Sequence, residues 1–127
     1  MVWYHEQNRT IQGDHMAIDI RTSGGVTILD LRGKLTVDEG AEQLEAKVKE
    51  LLGLDLKRIL LNLASVSYVD STGMESFVSC YNAASDTAGQ VKFASPSEQL
   101  HHLLSMTRLS TVLDVHETEA EAITSFR

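Results

Sequence analysis

Residues 57–63 (KRILLNL) form a short, almost uninterrupted apolar run, and it constrains the fold more than any other stretch of the chain. A strand that is apolar on both sides needs cover on both sides, and a parallel sheet with helices on its two faces supplies it. The run therefore predicts the central strand of an α/β domain. With 127 residues the chain is long enough for one such domain and too short for two. An apolar fraction of 43% and a charged fraction of 23% are ordinary for a sequence that folds around a core.

Upstream, Ile18 and Ile20 alternate with Asp19 and Arg21, Ser23-Gly24-Gly25 follows, and Val26 to Leu31 resumes the β pattern. Two glycines between alternating runs predict an antiparallel hairpin. Val37, Ala41, Leu44, Val48 and Leu51 then recur at helical spacing with Glu39, Glu42, Glu45, Lys49 and Glu50 between them, which predicts an amphipathic helix. Thr36 to Glu39 carries a capping signature for its start, and Gly53 marks its end. Downstream, residues 64–70 are expected to form a loop into a second helix with the stripe Met74, Phe77, Val78, Tyr81 and Ala84. Val91 and Phe93 mark the next strand. Ser95-Pro96-Ser97-Glu98 is expected to open a third helix with Pro at its first position and with Leu100, Leu103, Leu104 and Met106 following. Thr111 to Val115 reads as the last strand, and Thr118 to Glu121 repeats the capping signature before a terminal helix carrying Ala122, Ile123 and Phe126. The order ββαβαβαβα implies an α/β domain with a mixed, mostly parallel sheet of about five strands and four helices.

The composition changes once, near Met16. Residues 1–15 are polar and aperiodic and are expected to be an N-terminal extension, either loosely ordered or forming an extra edge strand or dimer contact through Trp3 and Tyr4. The domain is expected to span residues 16–127, with Met16 a second candidate translation start. A net charge of −7 repels phosphate backbones and anionic headgroups, so neither nucleic acid nor membrane is an expected partner. Nothing resembles a signal peptide, and no run approaches the ~18 apolar residues of a membrane span. The single cysteine, Cys80, cannot form an intramolecular bridge, which suits a reducing compartment. These features point to the cytoplasm.

Chemical machinery is sparse. The chain carries no phosphate-cradling glycine loop, no GxGxxG, no HExxH, no CxxC and no GxSxG elbow. His101 and His102 are adjacent, so on a helix their side chains diverge by about 100° and cannot share one metal. Cys80 falls beside Phe77 and Tyr81 and is expected to be a buried, inert thiol. No catalytic residue, metal or cofactor is expected. What remains is Val69-Asp70-Ser71-Thr72-Gly73-Met74-Glu75, between the carboxyl end of the central strand and a helix N-terminus, where open α/β sheets place ligand contacts. Two readings fit. Thr72 and Glu75 can form a capping box with Asp70-Ser71 as a polar turn. Alternatively Ser71 is a phosphoacceptor, whose phosphate adds about −1.5 to −2 charges beside Asp70 and Glu75.

Residues 16–126 resemble the STAS domain of bacterial anti-sigma factor antagonists. The resemblance rests on Leu31-Arg32-Gly33-Lys34-Leu35, the amphipathic first helix, Ile59 to Leu63, the stretch Val66 to Gly73 with its Asp-Ser-Thr-Gly motif, and Leu109 to Leu113 at the family's closing loop and strand. It implies a STAS-like fold and a partner switch rather than an enzyme. In that family the unmodified antagonist binds an anti-sigma factor of the histidine-kinase-like ATPase fold, which frees a sigma factor for transcription. The anti-sigma factor acts as a serine kinase on the residue after the Asp, here Ser71, and a metal-dependent serine phosphatase reverses the mark. The resemblance thus assigns Asp70 to positioning Ser71, and Asp70, Ser71, Thr72, Gly73, Met74, Glu75 and Thr36 to partner binding. Two positions depart from the family pattern. Thr36 stands where an Asp is common, with N-capping, partner contact or a secondary phosphosite as its expected role. Glu75 stands where a Gly is usual, near the docking surface, where its charge could discourage phosphorylation. A non-phosphorylated STAS scaffold or ligand-sensing subunit of a larger complex is the alternative, and the expected state is a monomer or weak homodimer.

Overall fold

The alternation at residues 17–31 folds as a hairpin: β1 (Ala17–Ser23) and β2 (Val26–Leu35) pair antiparallel, with Ile18 opposite Leu31 and Ile20 opposite Leu29. Gly24 and Gly25 turn the chain at φ of 57° and 82°, a region open to a residue without Cβ. The computed structural model describes residues 16–126, so the expectations for Trp3 and Tyr4 lie outside the described residues. β3 (Arg58–Val69), β4 (Gln90–Ala94) and β5 (Val115–His116) continue the sheet in parallel, in the order β1-β2-β3-β4-β5. Helices α1 (Ala41–Gly53), α2 (Ser71–Asp86), α3 (Glu98–Met106) and α4 (Glu119–Ser125) complete the mixed α/β domain, with a 3-10 turn at Leu109–Thr111. None of the described helices is long and apolar enough to cross a membrane.

The central run is covered on both faces. Ile59, Leu61 and Leu63 point into the larger core with Leu44 and Val48 of α1, Phe77 of α2 and Leu100 of α3. Leu60 points the other way, into a smaller core with Val26, Ile28, Ala94, Ala122 and Phe126. Phe77 and Phe93 meet edge to face at 5.3 Å between centroids, the geometry that the ring quadrupoles favour.

Four boundaries differ from expectation. Residues 64–69 are not a loop, because β3 continues to Val69 and pairs Ser65, Val66, Tyr68 and Val69 with Arg32, Gly33, Lys34 and Leu35. This part of β3 outruns β4, so Ser65, Ser67 and Tyr68 face solvent and give the strand the polarity of a loop. Thr36 does not cap α1. It closes a turn, its Oγ1 accepting from the Glu39 amide at 3.1 Å, while Gly40 at φ 88° is the N-cap and Val37 stands 67% exposed in the turn. Pro96 lies before the cap of α3 rather than inside the helix: Ser97 Oγ accepts from the Leu100 amide at 3.1 Å, and Met106 points outward, 68% exposed. The last strand shrinks to Val115–His116, because residues 109–111 coil into the 3-10 turn. The start of α4 is as expected, with Thr118 accepting from the Glu121 amide at 3.1 Å.

Two charged clips hold α4 to the sheet. Arg21 donates to both oxygens of Asp30, at 2.6 and 2.9 Å, and to Glu119 at 2.9 Å. Lys92 is buried beneath α4, donating to Asp114 at 2.7 Å and to the Ser125 carbonyl at 3.3 Å, with the Phe126 ring centroid 5.1 Å away. Hydrogen bonds from Arg21 hold the Asp30 carboxyl below its usual range. Burial pushes Asp114 up, but the hydrogen bond and charge of Lys92, with His116, outweigh it and the net shift is downward. A carboxyl depressed in the folded state stabilises fully above its unfolded pKa, about 3.9 for Asp, and that contribution disappears as pH falls through the folded value. Thermal melts are therefore expected to lose Tm most steeply below about pH 4. A Tm that rose on acidification through this range would contradict both clips.

Candidate functional site

β3 and β2 end side by side, with the Asp70 amide donating to the Leu35 carbonyl at 3.2 Å. Asp70 then adopts an extended conformation, φ −96° and ψ −173°, as the N-cap of α2. Its Oδ1 accepts from the Gly73 amide at 2.8 Å and its Oδ2 from the Val37 amide at 3.0 Å. One carboxylate therefore ties the start of α2 to the turn that follows β2. The expected capping box of Thr72 and Glu75 is not what starts the helix. Asp70 does so, from a place where Asp is among the preferred residues. The Gly73 amide, then that of Val37, holds the Asp70 carboxyl below its usual range, so it stays ionised.

The residues singled out from the sequence divide by exposure. Ser71, the first residue of α2, is exposed, as is Glu75, one turn further along the same face. Asp70, Thr72 and Thr36 are half-buried, and the Thr36 hydroxyl is held by Glu39. Met74 is buried in the core and Gly73 is buried against β2, so both serve the fold rather than offering side chains outward. A Cβ on Gly73 would collide with the Leu35 carbonyl oxygen and sit 2.8 Å from Val69 Cγ1.

Sequence reasoning missed two neighbours. Val37 and Tyr68, 67% and 57% exposed, belong to the two segments joined through Asp70. An aromatic residue between Ser67 and Val69, two positions before Asp70, was the available signal for Tyr68. Beside Val37 an open pocket of about 290 Å³ is bordered by Asp38, Glu39 and Glu42, which makes this end of the molecule acidic. Cys80 lies in the core, and burial, aided by the charge of Glu45, pushes its thiol up to about 12, as an inert thiol requires. His101 and His102 are exposed on α3.

The geometry defines an α/β domain that presents an exposed serine on the first turn of a helix, at the carboxyl end of a parallel sheet, fixed by an aspartate cap. The chain belongs to the STAS domain family, whose profile matches residues 17–122. It is 29% identical over 100 residues to the anti-sigma-B factor antagonist of Bacillus subtilis, covering 77% of this chain and 88% of that protein. The crystal structure of an anti-sigma factor antagonist from Mycobacterium paratuberculosis matches with a TM-score of 0.78 at 16% identity, over 90% of this chain and 96% of that one. The Bacillus cell fate determinant SpoIIAA in its phosphorylated form matches with a TM-score of 0.65 at 22% identity, over 87% and 100%.

Proposed function

We propose that this chain is an anti-sigma factor antagonist working as a phosphorylation-controlled partner switch. Unmodified, it binds an anti-sigma factor and so permits transcription by the sigma factor that partner would hold. Phosphorylated on Ser71, it lets the partner go. The observation that carries this reading is Ser71 itself, exposed at the start of α2 and set in place by an Asp70 carboxylate bonded to backbone on both sides. The similarity to the antagonist of Bacillus subtilis supports the partner class.

The reaction asks little of this chain. A partner of the histidine-kinase-like ATPase fold supplies ATP, the Ser71 oxygen attacks the γ-phosphorus, the hydroxyl proton passes to a base of the partner, and ADP leaves. A metal-dependent serine phosphatase hydrolyses the phosphoester and restores the hydroxyl. The chain contributes an acceptor held still, and in this reading it needs no catalytic residue, metal or cofactor of its own and works in the cytoplasm. The docking face comprises Asp70, Ser71, Thr72 and Glu75 with Val37 and Tyr68, while Thr36 holds the turn and Gly73 and Met74 hold the helix from behind.

Incubation with its anti-sigma factor and ATP is expected to add one phosphate, located on Ser71 by peptide mass spectrometry and absent from Ser71→Ala. A stable complex that leaves Ser71 unlabelled would overturn the switch and leave the scaffold reading in its place.

A further inference from the structure

The two edges of the sheet are finished differently. β5 closes one side with two residues, whereas β1 leaves a seven-residue edge with no strand on its outer side among the described residues. A row of unpaired backbone donors and acceptors is a template for another strand, and natural edges are commonly blunted with Pro, Lys or a bulge. β1 (AIDIRTS) has neither Pro nor Lys, its only charges are Asp19 and Arg21, of opposite sign and therefore able to pair between two copies, and its register with β2 runs unbroken from Ala17 to Ser23. Ile20, at its centre, is 48% exposed.

We infer that β1 is a homodimer interface, in which the edges of two copies pair antiparallel about a two-fold axis at Ile20. The charge pattern selects this register. With the axis at Ile20, Asp19 lies opposite Arg21 of the second copy, twice by symmetry, and Ile20 packs on its own counterpart. Directly opposed residues of an antiparallel pair project from the same face, so these charges meet. Moving the axis one residue either way sets Asp19 against Asp19 or Arg21 against Arg21, which repel. Asp19 already accepts from Arg32 at 2.6 Å and Arg21 is bound to Asp30 and Glu119, yet their side chains remain 61% and 43% exposed. Each cross-copy pair therefore extends a network rather than replacing one. The two-fold contact uses each edge once, so assembly stops at two copies and ten continuous strands, twice the five of one sheet. A single strand pair buries less than the roughly 1,200 Å² of a standard interface, so the dissociation constant is expected on the order of tens of micromolar.

Sedimentation equilibrium of the full chain from about 5 to 500 µM, with hydrogen exchange at both ends of that range, tests the inference. The expected result is a mass rising from monomer to dimer, with those backbone amides of residues 17–23 that point away from β2 exchanging about 10-fold more slowly at high concentration. Ile20→Lys sets two ammonium groups on the axis from an exposed position, and is expected to weaken association about 10-fold or more with an unchanged far-ultraviolet spectrum. Asp19→Arg, facing Arg21 of the second copy, is expected to act in the same direction. A chain that stays monomeric throughout overturns the inference, as does a dimer indifferent to both substitutions. Protection of the outward-pointing β1 amides that is independent of concentration also overturns it, because a segment of the same chain would then cover the edge.

Discussion

Gly73→Val is expected to destabilise the domain by about 3 kcal/mol, lowering Tm by roughly 10 °C in thermal melts. Gly73→Ala should cost about half as much. The ordinary effect of Gly→Ala within a helix has the opposite sign, a gain of up to about 1 kcal/mol from propensity. Contact geometry decides against that gain. The new Cβ would strike the Leu35 carbonyl oxygen, with Leu35 C at 2.9 Å and Val69 Cγ1 at 2.8 Å, and two of these three atoms are backbone. Leu35 cannot retreat freely, since its carbonyl also accepts from the Asp70 amide at 3.2 Å. Any relief must pull α2 away from β2, which strains the Gly73 bond to Asp70 and with it the seat of Ser71. Gly53, at the end of α1, is the matched control, because a Cβ there meets nothing within 4 Å. Gly53→Ala is expected to leave Tm unchanged or raise it slightly. Equal responses at the two glycines would remove close packing as the reason for Gly73.

The middle of the fold was legible because burial is written in residue type. Ile59 to Leu61 and Leu63 are apolar wherever the sheet is covered, and Ala41, Leu44, Val48 and Leu51 keep helical spacing because α1 has one wet face. Boundaries failed where exposure or a backbone bond decided the structure. Ser65, Ser67 and Tyr68 look like loop residues because the extended end of β3 is open to water, and only pairing with residues 32–35 of β2 makes them strand. Val37 continues the apolar period of α1 but belongs to a turn, because the Thr36 hydroxyl and carbonyl both take the Glu39 amide. The same blindness touched the site. Ser71 was legible as the residue after an Asp at a strand-to-helix junction. The Asp70 to Val37 bond joins positions 33 apart in sequence, and no local pattern announces it. Nor does spacing reveal that Gly73 lies against Leu35 or that Lys92 meets Asp114.

Phosphorylation of Ser71 is expected to weaken partner binding roughly 30- to 1,000-fold, whereas Ser71→Ala stays within about 5-fold of the native chain in calorimetric titration. In the proposed switch the partner is itself the kinase, and the asymmetry follows from what a kinase must place at this serine. To take the hydroxyl proton, the partner sets a base, ordinarily a carboxylate, within hydrogen-bond reach of the Ser71 oxygen. Alanine removes one hydrogen bond, worth about 1 kcal/mol. Phosphate instead puts nearly two negative charges against that base. At ~5 Å the repulsion is about 2 kcal/mol even in a water-like dielectric, and it grows as the interface excludes water. Asp70 and Glu75 add to the negative field but do not by themselves distinguish bound from free, since both accompany Ser71 in either state. Ser71→Asp carries one charge and should fall between alanine and phosphoserine. It should also fold normally, because a carboxylate in the first turn of α2 complements the helix dipole. Raising salt from about 0.05 to 0.5 M should narrow the gap between Ser71→Asp and Ser71→Ala, as screening shortens the reach of exposed charges. Equal affinity of these two variants at low salt would rule out charge as the release mechanism and leave the bulk of the phosphate as the agent.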